Sequence, residues 1–279
     1  MGLVSAAIGA LAVRSTHELR LGRISLESLQ RRAIAQAAIQ QAIAVIQRDV
    51  PAVDHLNESW ATGVDPETQQ SLLNEIAVGP GTFSIGVWDI EEFRVGMIDE
   101  DRKLNLNVAA PEHLARLIES VKTGDVDSLA VANAIADWRD EPEGPACTGT
   151  TPPCHNGRFE TVDELRLVPG MTPELFAVLE PYVTVYGSGV VNANTASATL
   201  LDAMNYPGES IVQQRHSQVF DDTNSPPAGL GMASSAFTVP VDVALRGTSV
   251  RAHLSAVIDR NGCASSSEDA RCILAWQPR

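Results

Sequence analysis

Residues 82–107 read TFSIGVWDIEEFRVGMIDEDRKLNLN, a pattern of strands followed by a polar run. Apolar side chains alternate with polar or small ones at Phe83, Ile85 and Val87, and the alternation resumes at Phe93. A period of two is typical of a strand with one buried face, so the stretch predicts an antiparallel hairpin. The polar run that follows the hairpin predicts the end of this part of the sheet.

A long helix is predicted upstream of the hairpin. Leucine, isoleucine and alanine recur there at mostly helical spacing, no proline occurs before Pro51, and the helix is expected to end near Gln47. Residues 2–13 are uncharged but fewer than the ~20 that a membrane span requires. Two interpretations are open: an amphipathic helix on a globular core, or the end of a membrane anchor whose beginning is missing and which continues into a periplasmic helix.

Downstream, residues 111–186 have helical patterns, and alternating strands return after residue 236. A helical block between strands predicts an α+β protein whose sheet is split by an all-α insertion. A short helix near 69–76 and a polar loop at 213–231 are also predicted. The predicted organisation has four parts: an N-terminal helix with a partial membrane-anchor segment at 1–50, the first part of an α/β domain at 51–109, the inserted α-domain at 110–190, and the second part of the α/β domain at 191–279.

The composition narrows the class of protein. The chain has 279 residues, of which 44% are hydrophobic and 20% charged, close to the average of soluble globular proteins. Acidic residues outnumber basic ones by 35 to 20, which leaves a formal charge of −15. Such a charge repels phosphate backbones and favours cations or basic partner surfaces. A multi-span membrane protein, a disordered chain and a general nucleic-acid binder are therefore disfavoured.

The four cysteines form two local pairs, Cys147 with Cys154 and Cys263 with Cys272. Each pair closes a short loop rich in small and polar residues, and we predict two disulfides formed in an oxidising compartment. A zinc site would need more histidine than the single His155 beside Cys154. Zinc ligation and free thiols stay open as alternatives.

Residue types that could carry catalysis are scattered. The six histidines show no pair at metal-ligand spacing, and no glycine-rich phosphate loop is present. Ser188 lacks the G-x-S-x-G elbow of hydrolases. Asn105, Asn107, Asn192 and Asn194 are expected to bond nearby backbone groups at turns and helix starts, where Thr195 or Ser197 could cap a helix. The sequence therefore predicts no enzyme.

Several motifs, in order, resemble those of one family. Residues 98–107, IDEDRKLNLN, are similar to the I-D-E-x-G/R-K-L-N-L-N element of the type II secretion minor pseudopilin K family, also called general secretion pathway protein K. Further pieces resemble the family's motifs in the same order: NESWA at 57–61, ADWRD at 136–140, FETVDELRLVPGM at 159–171 and NANTA at 192–196. The resemblance covers nearly the whole chain.

This resemblance implies a pseudopilin fold, in which a long N-terminal helix packs on an antiparallel sheet and a large all-α domain is inserted between strands. It implies a non-enzymatic subunit at the tip of the type II secretion pseudopilus, assembled with the minor pseudopilins I and J. A single-pass anchor in the inner membrane, with the bulk of the chain in the periplasm, is also implied. Other pseudopilus and inner-membrane secretion components, secreted substrates and the outer-membrane channel are further expected partners.

The resemblance also implies site residues. The helix is expected to pack its apolar stripe against partner helices. The stripe comprises Leu19, Ile24, Leu26, Leu29, Ile34, Ile39, Ile43 and Ile46. In the family, the loop after the D-W-x-D motif can bind calcium, and the candidate oxygen ligands here are Asp137, Asp140, Glu141 and Glu143. Alternatively, a disulfide between Cys147 and Cys154 holds that loop in place of a metal ion.

The main alternative is a DNA-binding or DNA-uptake protein. Residues 165–183 resemble a helix-hairpin-helix module, whose hairpin amides hold a phosphate of DNA. The DNA-binding form usually has a second glycine where this chain has Thr172. Acidic residues also dominate the flanks, with Arg166 as the local exception, so the electrostatic potential is unfavourable for a polyanion. Nucleic acid is therefore not an expected partner.

Overall fold

The computed structural model describes residues 2–89, 92–139, 157–264 and 271–278. The α-helices are α1 (Gly2–Arg48), α2 (Ser59–Thr62), α3 (Pro111–Val121), α4 (Ser128–Arg139), α5 (Pro173–Leu179), α6 (Ala198–Ala203), α7 (Gly208–Ser217) and α8 (Arg260–Ala264). The strands are β1 (Ile76–Val78), β2 (Gly81–Asp89), β3 (Glu92–Val95), β4 (Ile98–Asp99), β5 (Leu104–Asn105), β6 (Val183–Thr184), β7 (Ala236–Leu245), β8 (Arg251–Asp259) and β9 (Ile273–Pro278). Two 3₁₀ helices cover Val162–Leu167 and Glu180–Tyr182.

An antiparallel sheet forms around β7, which joins the two halves of the chain. Its main path runs β1-β2-β7-β8-β9, while β3 pairs with β2 and β4 pairs with β7. β2 and β3 form the predicted hairpin, with Gly86 opposite Val95 and Trp88 opposite Phe93. The hairpin prediction from residues 82–107 is therefore confirmed, although residues 90–91 of its turn lie outside the described residues.

Helix α1 packs its C-terminal half on one face of this sheet. Ile34, Ile39 and Ile46 of α1 are 1–2% exposed and share a hydrophobic cluster with the alternate β7 residues Phe237 and Val241. These β7 residues face α1 because strand side chains alternate between the two faces of a sheet. Burial of this helical stripe, more than helical propensity, holds α1 on the sheet.

A second hydrophobic cluster lies in the segment between β4 and β7. It joins α3, α4, α5, α6 and α7, and its fully buried side chains include Leu114, Ile135 and Phe176. This cluster extends through α6 and α7 to Leu230. Helices α6 and α7, which follow the predicted domain boundary at residue 190, pack with the helices that precede it. The boundary itself stays a prediction.

The mixed helix and antiparallel-sheet composition is confirmed, and three details of the prediction are corrected. The segment between β4 and β7 is not purely helical, because β5 and β6 form a parallel two-stranded pair. The helix predicted near 69–76 is not formed within these described residues; Ser71 makes an isolated bridge with Val64, and bends then lead into β1. Residues 213–217, at the start of the predicted polar loop 213–231, form the end of α7. This helix has one buried side chain, Ile211, so its sequence shows little apolar periodicity.

A disulfide joins Cys263 at the end of α8 to Cys272 just before β9. The prediction for this pair is confirmed. Cys147 and Cys154 lie outside the described residues, so their pairing stays a prediction.

Two substitutions in α1 test how the helix is held. We expect Ile39→Ala to lower the free energy of unfolding by about 2–5 kcal/mol, because it leaves a cavity between α1 and the sheet. Leu29→Ala, at a side chain that is 64% exposed, is the matched control and should change stability by less than about 0.5 kcal/mol. Urea unfolding of the isolated chain measures both, and equal effects would contradict the packing of α1 described above.

Candidate functional site

Three consecutive carboxylates, Asp99, Glu100 and Asp101, lie between the two hydrophobic clusters. All three are at most 3% exposed. Asp99 ends β4 and pairs with Phe237 of β7, so the sheet itself fixes where the run begins. Because a buried carboxylate is costly unless it is hydrogen-bonded or paired, the contacts of these groups determine how the surrounding segments pack.

Asp101 binds two segments that are distant in sequence. Its Oδ1 accepts hydrogen bonds from the backbone N–H and hydroxyl of Ser188, and its Oδ2 accepts the same two groups of Ser235 at 2.6 and 2.8 Å. Gly187 lies so close that a Cβ there would sit 2.5 Å from Asp101 Oδ1, and its φ is +84°. A side chain at Gly187 would therefore disrupt this contact. Ser188 thus acts as a structural hydrogen-bond donor to Asp101.

The pKa values of the other two carboxyl groups are shifted in opposite directions. Burial raises the pKa of Asp99 to about 7, although hydrogen bonds from Thr195 and Ser234 oppose the shift. Burial would also raise the pKa of Glu100, but Lys103, 2.7 Å from its Oε1, and the hydroxyls of neighbouring threonines lower that pKa below its usual value. Glu100 is therefore a paired anion, whereas Asp99 is a carboxyl that is protonated over much of the acidic range.

The four asparagines bond backbone groups, as predicted, but many of those groups are distant in sequence. Asn105 donates to the carbonyl of Tyr186, and Asn107 donates to and accepts from the backbone of Phe159. Asn192 Nδ2 donates to the carbonyl of Asp54 at 3.1 Å. The Asn194 side chain likewise bonds both backbone groups of Phe220. The predicted helix cap is Ser197, which accepts the N–H of Leu200 at the start of α6.

A second polar cluster holds the end of α1. Asp54 binds Arg260 with both carboxylate oxygens, at 2.6 and 2.8 Å, and Arg260 also reaches Asp49 Oδ2 at 2.7 Å. Asp49, Asp54 and Glu58 offer oxygens within 4.8 Å of one another. Burial and the nearby Glu58 raise the pKa of Asp49 to about 6. Sequence reasoning missed this cluster because Arg260 is more than 200 residues from its partners. The guanidinium of Arg260 already balances part of the charge, so the cluster is an ion pair that ties α1 to α8.

The predicted partner stripe on α1 divides into two groups. Ile34, Ile39, Ile43 and Ile46 are at most 9% exposed and pack on the chain's own sheet. The expectation that these four face a partner is corrected, because the sheet already covers them. The other four residues are 57–73% exposed, and for them the interface stays a prediction. They are Leu19, Ile24, Leu26 and Leu29.

The remaining candidates can be placed in part. Asp137 lies half-buried near the end of α4, but Asp140, Glu141 and Glu143 lie outside the described residues, so the calcium loop stays a prediction. In the segment that resembles a helix-hairpin-helix, Arg166 lies 3.6 Å over the Phe176 ring and bonds Asp163.

The same hairpin uses its other residues for structure. Thr172 caps α5 by accepting the N–H of Leu175, and Leu165 and Val168 are buried in the helical cluster. The hairpin is therefore a packed part of the helical segment, and the guanidinium of Arg166 already interacts with Asp163 and Phe176.

The fold defines a class of protein: an α+β protein whose long helix is covered by its own sheet from Ile34 onward and is largely exposed over residues 17–33. Within the described residues, no helix combines the length and apolarity needed to span a membrane.

Comparison with known proteins agrees with this class. Residues 93–188 match the family model described as type II secretion system (T2SS), protein K. The type II secretion system protein K of Klebsiella pneumoniae is 27% identical over 238 residues, which cover 77% of this chain and 70% of that protein. The protein of the same name from Aeromonas hydrophila is 26% identical over 176 residues, which cover 58% of this chain and 52% of that protein.

A solved structure has the same fold. A chain in the crystal structure of the GspK–GspI–GspJ complex of the enterotoxigenic Escherichia coli type 2 secretion system superposes with a TM-score of 0.67. The superposition covers 92% of this chain and 98% of that chain, at 17% sequence identity. The resemblance to the type II secretion protein K family that the motifs indicated is confirmed.

Asp99→Asn tests the buried carboxyl. The unfolded chain loses the Asp99 proton near pH 3.8 and the folded chain near pH 7, so wild-type stability should fall between these values as the pH rises. The amide cannot ionise and keeps an acceptor for Thr195, so the variant should gain about 1–4 kcal/mol on wild type between pH 5 and pH 8. Urea unfolding at both pH values measures the difference. A stability difference between variant and wild type that is the same at pH 5 and pH 8 would contradict the burial of an ionisable Asp99.

Proposed function

We propose that this chain is a non-enzymatic minor pseudopilin of a type II secretion system, located at the tip of the pseudopilus with pseudopilins I and J. The match of residues 93–188 to protein K carries the proposal. That segment runs from β3 through the buried carboxylates to Ser188, and so includes the hydrogen bonds that Ser188 donates to Asp101. The likeness in fold to a chain of a GspK–GspI–GspJ complex supports the two partners.

The helical segment supports a position at the end of the filament. In the proposed pseudopilin fold, the segment between β4 and β7 is an inserted domain with its own hydrophobic cluster. A subunit of a helical filament has neighbours above and below, and a bulky inserted domain leaves little room for one of them. This geometry fits a subunit that begins or caps the filament, with the inserted domain directed towards substrates or the outer-membrane channel.

The proposed location is the periplasm, with an N-terminal anchor in the inner membrane. The Cys263–Cys272 disulfide supports an oxidising compartment, because structural disulfides persist in the periplasm and are rare in the cytosol. The proposed role needs no catalytic step. It requires surfaces that bind, and the exposed half of α1 is a surface of that kind.

Reconstitution tests the function. The full chain is mixed with the soluble domains of the I-type and J-type pseudopilins encoded beside it, and the mass of the product is measured by size-exclusion chromatography with light scattering. We expect a stable 1:1:1 species, with an unrelated acidic periplasmic protein of similar size as the negative control. A chain that stays monomeric in every mixture would overturn the proposal.

The calcium prediction is tested in the same mixture. If the loop after α4 binds calcium through oxygen ligands, a chelator should destabilise the complex or the chain, and excess calcium should restore it. Asp140→Asn should weaken the response to calcium, whereas Glu160→Gln, at an exposed carboxylate, is the matched control. An identical chelator response in wild type and Asp140→Asn would exclude this loop as the site.

A further inference from the structure

Residues 19–29 of α1 expose apolar side chains on two opposite sides of the helix. At 3.6 residues per turn, Leu21 and Ile24 each lie eighteen residues, about five full turns, before the buried Ile39 and Ala42. They therefore continue the side of α1 that the sheet covers further along the chain. Yet they are 62% and 57% exposed, because the sheet-covered part of the helix begins at Ile34. We name this pair the sheet-side stripe.

A second stripe lies on the other side of the helix. Leu19, Leu26 and Leu29 follow one another at spacings of seven and three residues, the pattern of a coiled-coil seam. They are 57–73% exposed. We name these three residues the outer stripe. A helix that is apolar on two sides matches a position between two neighbours, since one partner would leave one stripe in water.

The charge of α1 is opposite to that of the rest of the chain. Residues 2–48 contain six arginines and two glutamates, a net charge of +4, whereas residues 49–279 contain 14 basic and 33 acidic residues, a net charge of −19. Two copies of this helix side by side would bring like charges together. The helix therefore favours partners of a different, acidic character.

Two arginines are available to such a partner. The glutamates of α1 already pair with arginines at Arg14–Glu18 and Arg23–Glu27–Arg31. Arg20 and Arg32 are exposed, border the sheet-side stripe on its two flanks, and make no ion pair with any other residue that the structure describes. They are twelve residues apart, or about 18 Å along the helix.

We propose that residues 19–33 lie between two different partner helices, and that the helix on the sheet-side stripe carries carboxylates that pair with Arg20 and Arg32. The partners are amphipathic helices, the occupant of the sheet-side stripe being acidic beside its apolar residues. This inference rests on the proposed function and specifies how the two partners are told apart. Because two copies of α1 carry the same positive charge, a second copy of this chain does not replace either partner in the helical bundle.

Stripe-specific variants test this arrangement. Ile24→Glu in the sheet-side stripe and Leu26→Glu in the outer stripe place a charge in only one of the two contacts, and glutamate preserves the helix. We expect each variant to weaken one partner at least about tenfold, to change the other less than about threefold, and to affect different partners. Leu129→Glu, at a helical side chain that is 58% exposed on α4, is the matched control. Pairwise affinities for the I-type and J-type soluble domains are measured with the full chain.

A charge variant tests the acidic partner. Arg20→Glu should weaken only the partner that Ile24→Glu weakens and should reduce the salt dependence of that affinity. Arg166→Glu, at a half-exposed arginine of the helical segment, is the control. Unchanged affinity and salt dependence in Arg20→Glu would overturn the carboxylate pairing.

The outcomes separate this inference from the proposed function. If wild type binds neither pseudopilin, the proposed function fails. If wild type binds both and the two stripe variants weaken the same partner, the function stands and the two-sided arrangement is wrong.

Two further outcomes would identify a different occupant of a stripe. Self-association of the wild-type chain that either stripe variant abolishes would assign the stripe to a second copy. Tighter binding to vesicles of phosphatidylcholine and phosphatidylglycerol than to either pseudopilin would assign it to a lipid surface, and both results contradict the proposal. Unchanged urea midpoints show that the variants are folded.

Discussion

The structure depends on the burial of three consecutive carboxylates at the point where the sheet meets the helical segment. Asp99, Glu100 and Asp101 lose their water, so hydrogen-bond donors or a cation must replace it, and the donors come from segments far away in sequence. Ser188 and Ser235 both bond one carboxylate, which places the chain that follows β6 beside the start of β7. Without this contact, the arrangement of the two hydrophobic clusters would rest on fewer hydrogen bonds, such as the one from Asn192 to the carbonyl of Asp54.

Helix α1 has one part whose apolar side chains are buried by the chain's own sheet and another part whose apolar side chains are exposed. Where the sheet lies beneath it, α1 buries Ile34, Ile39 and Ile46 and gains stability within the chain. Further towards the N-terminus the same periodicity continues over residues that no part of the described chain covers. Apolar side chains such as Leu19 and Leu29 gain little in water, so the helix gains more stability in an assembly than alone. This imbalance fits the proposed function, in which the chain joins a filament.

Much of the fold follows from local patterns, and much of the polar network does not. Alternation in residues 82–95 predicted the β2–β3 hairpin, because period-two burial is a property of the strand itself. The motifs around 98–107 and 192–196 indicated the family. They did not reveal that Asn105 bonds a carbonyl 81 residues away, or that Asp54 pairs with Arg260 across 206 residues. Spacing along the chain carries no information about such contacts.

Local patterns were enough to predict α1, the β2–β3 hairpin, the Cys263–Cys272 pair and the acidic charge, since each depends on composition or on neighbours in the chain. The part of the α1 stripe that is buried within the chain is visible only in the folded structure. The eight predicted interface residues are alike in chemistry and helical spacing, and the sheet covers four of them because the sheet-covered part of α1 begins at Ile34. The extent of the sheet depends on long-range strand pairing around β7. For that reason, one apolar stripe of α1 is buried from Ile34 onward and exposed at residues 19–29.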